Sequence, residues 1–384
     1  MKTSKLTQGL SGSMIREMFN ESLKMQNTIK FTVGEPDFVT PRPIIDAACA
    51  AWQRGLTHYT PNCGIPELCA AISDYHNDDF KADPQTQVFV SCGATEALQM
   101  ALFTLADPGD EVLVVAPAWP NYFGQISMCG AKAVLVPAFE KNNFVPDPSD
   151  IKKAITSKTK AIIINSPSNP TGAVIDRDTY KEIIDILREH DIFIIADEVY
   201  SRLVYGGGDY TSISEFADMK DRAVYINSFS KMFAMTGWRL GYAISTPEII
   251  GSMVKLHENG ASCLPAPSQL AAAQALIHHT GEIERMRQIY HKRRDLICGK
   301  INEIDGMSCV TPKGAFYAFV NIKKLGMASQ DFCMRLLRET GVVTVPGIGF
   351  GGAGEGYVRF TYATSEENIN EGLDRVKIFI GNLS

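Results

Sequence analysis

Short runs at 87–91, 111–115, 133–136, 161–164, 192–195, 223–227 and 240–244, apolar but for residues at their ends, constrain this chain more than any other feature. A run without polar alternation has no face to offer water, so it reads as a strand covered on both sides. Stretches of helical period at 44–54, 95–106, 148–155 and 179–190 lie among these runs and can supply the cover. The alternation points to an α/β fold, a mostly parallel sheet flanked by helices and joined by right-handed crossovers. Before the first run, Met14, Ile15, Met18, Phe19 and Leu23 recur at helical spacing within 11–23. Beyond Gly241 the chain turns helical at 248–256 and 267–278, then at 282–304, long enough for a spine between domains. It ends in an α+β mixture: a hairpin-like pair at 307–310 and 316–321, a helix at 330–339, strands at 342–345 and 357–362, and a helix at 366–380. A chain of 384 residues is long for one core. The expectation is a large domain over 46–280 and a smaller α+β domain built from 1–45 with 281–384.

In that frame the segment 228–241, SFSKMFAMTGWRLG, places Lys231 on a tight connection at a strand end, where open α/β sheets bind ligands. Apolar neighbours and the nearby Arg239 depress the pKa of an amine and favour its neutral, nucleophilic form. Read alone, Lys231 fits better as a solvated loop lysine. Asp197 weighs against that reading, because it follows directly on the apolar run 192–195. A carboxylate there needs a cationic partner or must be neutralised. Pyridoxal 5′-phosphate would satisfy both groups, with its protonated ring nitrogen facing the acid and its aldehyde tied to the lysine. Gly93, Ala94 and Thr95 open the helix after the run 87–91 and present unpaired N–H groups to an anion. Every βα turn begins a helix in this way, but Ser228, Ser230 and Arg239 would add hydroxyls and a guanidinium fork suited to phosphate.

The loop 165–172, NSPSNPTG, stops an apolar strand with two prolines and a glycine and holds Asn169 at its tip. Together with 228–241, and along nearly the whole chain, it resembles the fold-type-I, class I/II aminotransferases of the aspartate aminotransferase superfamily. The likeness is to the prokaryotic branch containing aspartate and aromatic aminotransferases. The resemblance implies transamination between an L-amino acid and a 2-oxo acid, with Lys231 carrying the substrate Cα proton and Asp197 keeping the cofactor ring an electron sink. It implies that Asn169 and Tyr200 bond the cofactor's 3-oxygen and that Trp119 stacks on its ring. It also implies a homodimer in which Tyr59 reaches the partner's cofactor phosphate. Gly34 and Arg359 would take the substrate α-carboxylate, and Ile15 would line the pocket. Gly34 would serve as well as a plain turn glycine, and Trp119 as core. Arg359 alternates with apolar neighbours, so it is expected to pair with an acid, and a structural salt bridge is the alternative to the substrate role. Thr95 stands where some acidic-substrate members carry a lysine. Phe38, Trp119 and Tyr122 would accept aromatic or aliphatic side chains, and an arginine from the partner would keep glutamate as donor and 2-oxoglutarate as acceptor.

Other classes fit less well. A net charge of −6 without a basic block offers nothing to nucleic acid. The absence of an apolar signal core or membrane-length run makes a cytoplasmic enzyme the expectation. Nine cysteines without a CxxC pair read as free thiols, with no metal site. The GxGxxG match at 349–354 precedes a strand rather than a helix, so it is expected to be a mobile glycine loop and not a dinucleotide fingerprint. A C–S β-lyase could use the same residues. A non-catalytic regulator would normally add a basic DNA-binding segment, and none precedes Gly34.

Overall fold

The computed structural model describes residues 3–10, 12–76, 81–207 and 210–383. Among them, seven strands form the main sheet: β1 Val88–Ser91, β2 Glu111–Ala116, β3 Lys132–Pro137, β4 Thr159–Asn165, β5 Phe193–Asp197, β6 Ala223–Ser228 and β7 Gly241–Ile244. Their spatial order is β1-β7-β6-β5-β4-β2-β3. Pairings from β3 through β6 are parallel, whereas β7 runs antiparallel to both neighbours. The two faces divide the strand residues as a two-residue repeat requires. Ile162 and Ile164 of β4 enter one core with Ile183, Ile184 and Leu187 of the helix Arg177–Glu189. Ala161 and Ile163 enter the opposite core with Ala97, Leu98 and Leu102 of the helix Ala94–Leu105. Each such isoleucine contributes about 1.5–3 kcal/mol by leaving water.

A second sheet, β8 Ser308–Cys309, β9 Tyr317–Asn321, β10 Val345–Pro346 and β11 Tyr357–Thr361, is ordered β10-β11-β9-β8 and antiparallel throughout. It shares a core with Met286, Tyr290, Ile297 and Ile301 of the helix Gly281–Asn302, with the helices Ser329–Thr340 and Glu366–Gly381, and with Met18, Ile29 and Phe31 from the start of the chain. The hairpin expected near 307–321 is present as β8 and β9. The N-terminal helix runs Met14–Ser22; Ser11, where it was expected to open, lies outside the described residues.

Two local expectations are corrected. The strand read at 342–345 divides at Thr344, because two ladders compete for it: Val342–Val343 pairs in parallel with Ile29–Lys30, while Val345 and Pro346 join β11. The glycine segment 349–354 is no loose loop. It forms the 3₁₀ turns Gly347–Phe350 and Gly352–Gly354, with Phe350 wholly buried. A Cβ on Gly347 would strike the Gly354 carbonyl, so the two turns close on each other backbone to backbone.

Candidate active site

The C-terminal ends of β5 and β6 open onto a cavity of about 260 Å³ whose far wall is the second sheet. Ser228 ends β6 and caps the single-turn helix Phe229–Met232, its hydroxyl accepting from Ser230 N–H at 2.9 Å. That turn points Lys231 into the cavity, where Nζ donates to the Gly34 carbonyl. Burial brings the amine down to about 8, against an opposing pull from Glu35 and with help from Arg239 and Arg359. Asp197 ends β5 opposite Asn165 of β4, whose Nδ2 donates to the Asp197 carbonyl at 2.9 Å. The Asp197 carboxylate is 3% exposed and has no ion-pair partner among the described residues. Burial lifts it to about 6; the Tyr122 hydroxyl, which donates to Oδ2, the Val199 N–H and Lys231 hold it from rising further.

At one end of the cavity lies a cradle of amides and hydroxyls. Gly93 caps the helix Ala94–Leu105 at φ +72°, and Ala94 and Thr95 line the cavity at its first turn. A Cβ on Gly93 would collide with the Arg239 guanidinium. Arg239 itself sits at φ +56° and donates to the Thr236 carbonyl at 2.8 Å and the Cys92 carbonyl at 3.4 Å. Register places Gly241 opposite both Ser91 and Ser228, which brings the 92–95 turn against the 228–239 segment. Gly93, Ala94, Thr95, Ser228, Ser230 and Arg239 are therefore gathered in one place, as expected.

At the other end, Arg359 of β11 is 1% exposed. The acid expected beside it does not occur among the described residues: its partners are Asn169 Oδ1, 3.0 Å from Nη1, and the Thr32 carbonyl. Its Nε is buried without a partner. The guanidinium lies 4.4 Å from the Tyr317 ring centroid and 5.1 Å from that of Phe350, so aromatic faces supply part of what a carboxylate would. Burial lowers its pKa, with Tyr317 and Tyr200 opposing. Asn169 is aimed by Asn165, whose Oδ1 accepts the Asn169 N–H at 2.8 Å. Tyr200 meets Tyr317 hydroxyl to hydroxyl at 2.7 Å.

Gly34, Trp119 and Ile15 also line the cavity, Ile15 from the helix Met14–Ser22. Gly34 has no space for a side chain, since a Cβ would lie 2.5 Å from the Tyr317 hydroxyl. Trp119 meets Tyr122 edge-on at 5.3 Å. Tyr59 is not in the cavity; it is 93% exposed, and its phenol projects away from its own chain. Sequence reasoning missed Tyr317 altogether and named Tyr122 only as pocket wall. The signal for Tyr317 was available, since a tyrosine in an otherwise apolar strand needs a partner for its hydroxyl. All nine cysteines are free, and no metal-ligating cluster occurs among the described residues.

The model of the family "Aminotransferase class I and II" matches residues 26–376. An aspartate aminotransferase of Pyrococcus abyssi is 42% identical over 369 residues, covering 95% of each chain. An aromatic-amino-acid aminotransferase of Thermococcus litoralis is 41% identical, again over 95% of each. The crystal structure of an aromatic aminotransferase from Pyrococcus horikoshii superimposes with a TM-score of 0.91 at 40% identity, covering 96% of this chain and 99% of that one. This chain belongs to the class I and II aminotransferase family. It is a transaminase of fold type I, moving an amino group between an amino acid and a 2-oxo acid. The lyase and regulator readings are not favoured.

Proposed function

We propose that this transaminase works with pyridoxal 5′-phosphate held on Lys231. The observation that carries the reading is one cavity uniting a lowered amine with a buried carboxylate and a buried guanidinium, neither of which is in an ion pair among the described residues. Each is costly to bury alone, and the cofactor and substrate together would complement all three. The residues fit the group at its other end too, where the missing Cβ of Gly93 lets the Arg239 guanidinium lie against the start of the helix Ala94–Leu105, setting a cation beside its first-turn amides. When bound, the cofactor supplies an aldehyde that condenses with amines and a ring that accepts the electron pair released at Cα.

The chain's own groups would divide the remaining work. Asp197 holds a proton on the ring nitrogen; Asn169 and Tyr200 bond the ring oxygen; Trp119 covers the ring face. Gly93, Ala94, Thr95, Ser228, Ser230 and Arg239 take the phosphate. Arg359, with Asn169 and Gly34, takes the substrate α-carboxylate, a geometry suited to a bidentate fork. Lys231 would move the substrate Cα proton as general base, and a free amine brought down to about 8 suits that task near neutrality. The exposed phenol of Tyr59 supports a homodimer in which it completes the partner's phosphate site. The core around the second sheet, which joins Met18, Ile29 and Phe31 to residues from Met286 onward, supports a division at 46–280 against 1–45 with 281–384, while Ile44 and Ile283 pack into the large core and Tyr200, Leu203 and Tyr205 into the small one. No helix among the described residues is long and apolar enough to cross a membrane, and a cytoplasmic setting accords with that.

For substrates, the names of the relatives support aspartate or aromatic amino acids, with glutamate and 2-oxoglutarate as one pair. Ile15, Leu98 and Trp119 make an apolar wall that suits the aromatic side of that choice. The test is an absorbance spectrum of protein incubated with pyridoxal phosphate. A visible band that bleaches with an amino acid, together with a borohydride-trapped adduct on Lys231, is expected. A colourless protein with no trapped adduct refutes the reading.

A further inference from the structure

Next to the proposed phosphate cradle, and outside the cavity lining, a half-buried glutamate meets a wholly buried histidine in a pair that the transamination chemistry does not use. Glu96 lies in the first turn of the helix Ala94–Leu105 and folds back on the helix start, so that Oε2 accepts the Cys92 N–H at 2.5 Å. Its other oxygen, Oε1, lies 2.9 Å from Nδ1 of His257. His257 belongs to the helix Pro247–Gly260, is wholly buried and packs edge-on against Phe89, 5.2 Å between ring centroids. Its second nitrogen, Nε2, is buried with no partner.

A carboxylate oxygen that already faces the ring at 2.9 Å can only accept, so His257 Nδ1 carries a proton and donates it to Glu96. Glu96 is then a carboxylate held at both oxygens. Burial pushes it up, yet the bonds from His257 and Cys92 outweigh burial and hold it below its ordinary range. Cys92 in turn is gripped at both ends: Glu96 takes its N–H, and Arg239 donates to its carbonyl at 3.4 Å. The next residue is Gly93, whose positive φ aims the cradle amides and whose missing Cβ makes room for Arg239.

We infer that Glu96 and His257 are positioning residues for the cofactor phosphate, acting through Cys92 to fix the cradle amides and Arg239 in a phosphate-ready arrangement. This rests on the proposed cofactor. Neither residue lines the 260 Å³ cavity, so the effect is confined to the anchor and leaves the ring and substrate contacts alone. The opposing charge of Glu96, one turn from a phosphate, is tolerated because its oxygens are already committed to two donors.

Apoprotein is titrated with pyridoxal phosphate and, separately, with pyridoxal, which lacks the anchor. Glu96→Ala is expected to weaken the phosphorylated vitamer by about tenfold or more, the loss expected for one charge-assisted hydrogen bond, and pyridoxal by less than about threefold. Glu96→Gln keeps an oxygen for the Cys92 N–H, but its amide can meet His257 only by donating to Nδ1, which moves the ring proton to the unpartnered Nε2. It should bind pyridoxal phosphate less tightly than the parent and more tightly than Glu96→Ala, while near-parental pyridoxal binding in every variant controls for folding. His257→Phe should fall between the parent and Glu96→Ala, and the ³¹P resonance of bound cofactor should move further in Glu96→Ala than in Glu96→Gln. Equal loss for both vitamers, no loss for either, or a Gln variant no better than Ala overturns this inference alone. Failure of the parent protein to bind pyridoxal phosphate overturns the cofactor reading and this inference with it.

Discussion

Replacing Tyr122 by phenylalanine isolates the group that governs Asp197. The substitution removes a single oxygen from a side chain that is 2% exposed. What disappears is the hydroxyl that donates to Asp197 Oδ2. The hydroxyl can be relied on as a donor in the parent, since burial and the adjacent carboxylate raise its own pKa far above the ordinary phenol value. The remaining donor to the carboxylate, Val199 N–H at 3.4 Å, is too long to compensate. A hydrogen bond to a charged acceptor is worth about 1.5–3 kcal/mol net, and about 1.4 kcal/mol is tenfold in proton affinity. From a starting value of about 6, the apoprotein's Asp197 should therefore bind its proton about ten- to a hundredfold more tightly in Tyr122→Phe. Carboxyl ¹³C NMR of aspartate-labelled apoprotein reads this directly, with the resonance assigned by its loss in Asp197→Asn. In the loaded enzyme the acidic limb of kcat/KM should move to higher pH. An Asp197 titration that stays put or moves down in Tyr122→Phe would refute the electrostatic account of this acid.

The remaining predictions concern the lysine, the dimer, the apoprotein and the glycine at the mouth of the site. Lys231→Ala should abolish turnover and the borohydride-trapped adduct while still binding the cofactor non-covalently, as equilibrium dialysis would show; normal turnover would remove the lysine from the mechanism. Mixing Tyr59→Ala with Lys231→Ala under subunit-exchange conditions should restore activity that neither parent has, because one site in each mixed dimer regains both groups; no recovery would speak against shared sites. In apoprotein, Asp197 binds its proton more tightly folded than unfolded, rising from 3.8 to about 6. The folded state then holds the extra proton between those values, so stability falls as pH rises through that window, by about 3 kcal/mol for this group; Lys231, lowered from 10.5 to about 8, makes stability rise with pH between about 8 and 10.5. Urea titrations of the parent against Asp197→Asn and Lys231→Met should show each slope vanish in turn. Gly34→Ala should displace the Tyr317 hydroxyl and raise KM for the amino acid about tenfold, an effect of about 1.4 kcal/mol, with little change in cofactor affinity.

Much of this was legible because the informative residues stand at chain-local boundaries. Asp197 and Lys231 each follow an apolar run, and a polar group at such a place signals itself without knowledge of the fold. The strands of the main sheet were visible for the same reason, since residues such as Ile162 and Ile163 serve opposite faces and leave no polar alternation. What the sequence could not display are contacts between distant segments. Tyr122 meets Asp197 from 75 residues away and Tyr200 meets Tyr317 from 117. Arg359 was expected beside an acid because local pattern shows only that a buried charge needs something; the amide and carbonyl that serve it are 190 and 327 residues away. The division of 342–345 between two ladders depends on Ile29–Lys30, whose pairing no local signal announces.

The reversed direction of β7 also sets which parts of the gene can vary in length. Because Gly241 re-enters the sheet beside Ser228, residues 229–240 form a closed detour whose two ends are pinned by the same ladder. One additional residue there would either shift Arg239 by a peptide length or turn Tyr242 to the wrong side of the sheet. Inserted sequence should therefore be accepted readily at outward-facing connections and refused throughout this detour, making its length a more stringent requirement than the identity of most residues it contains.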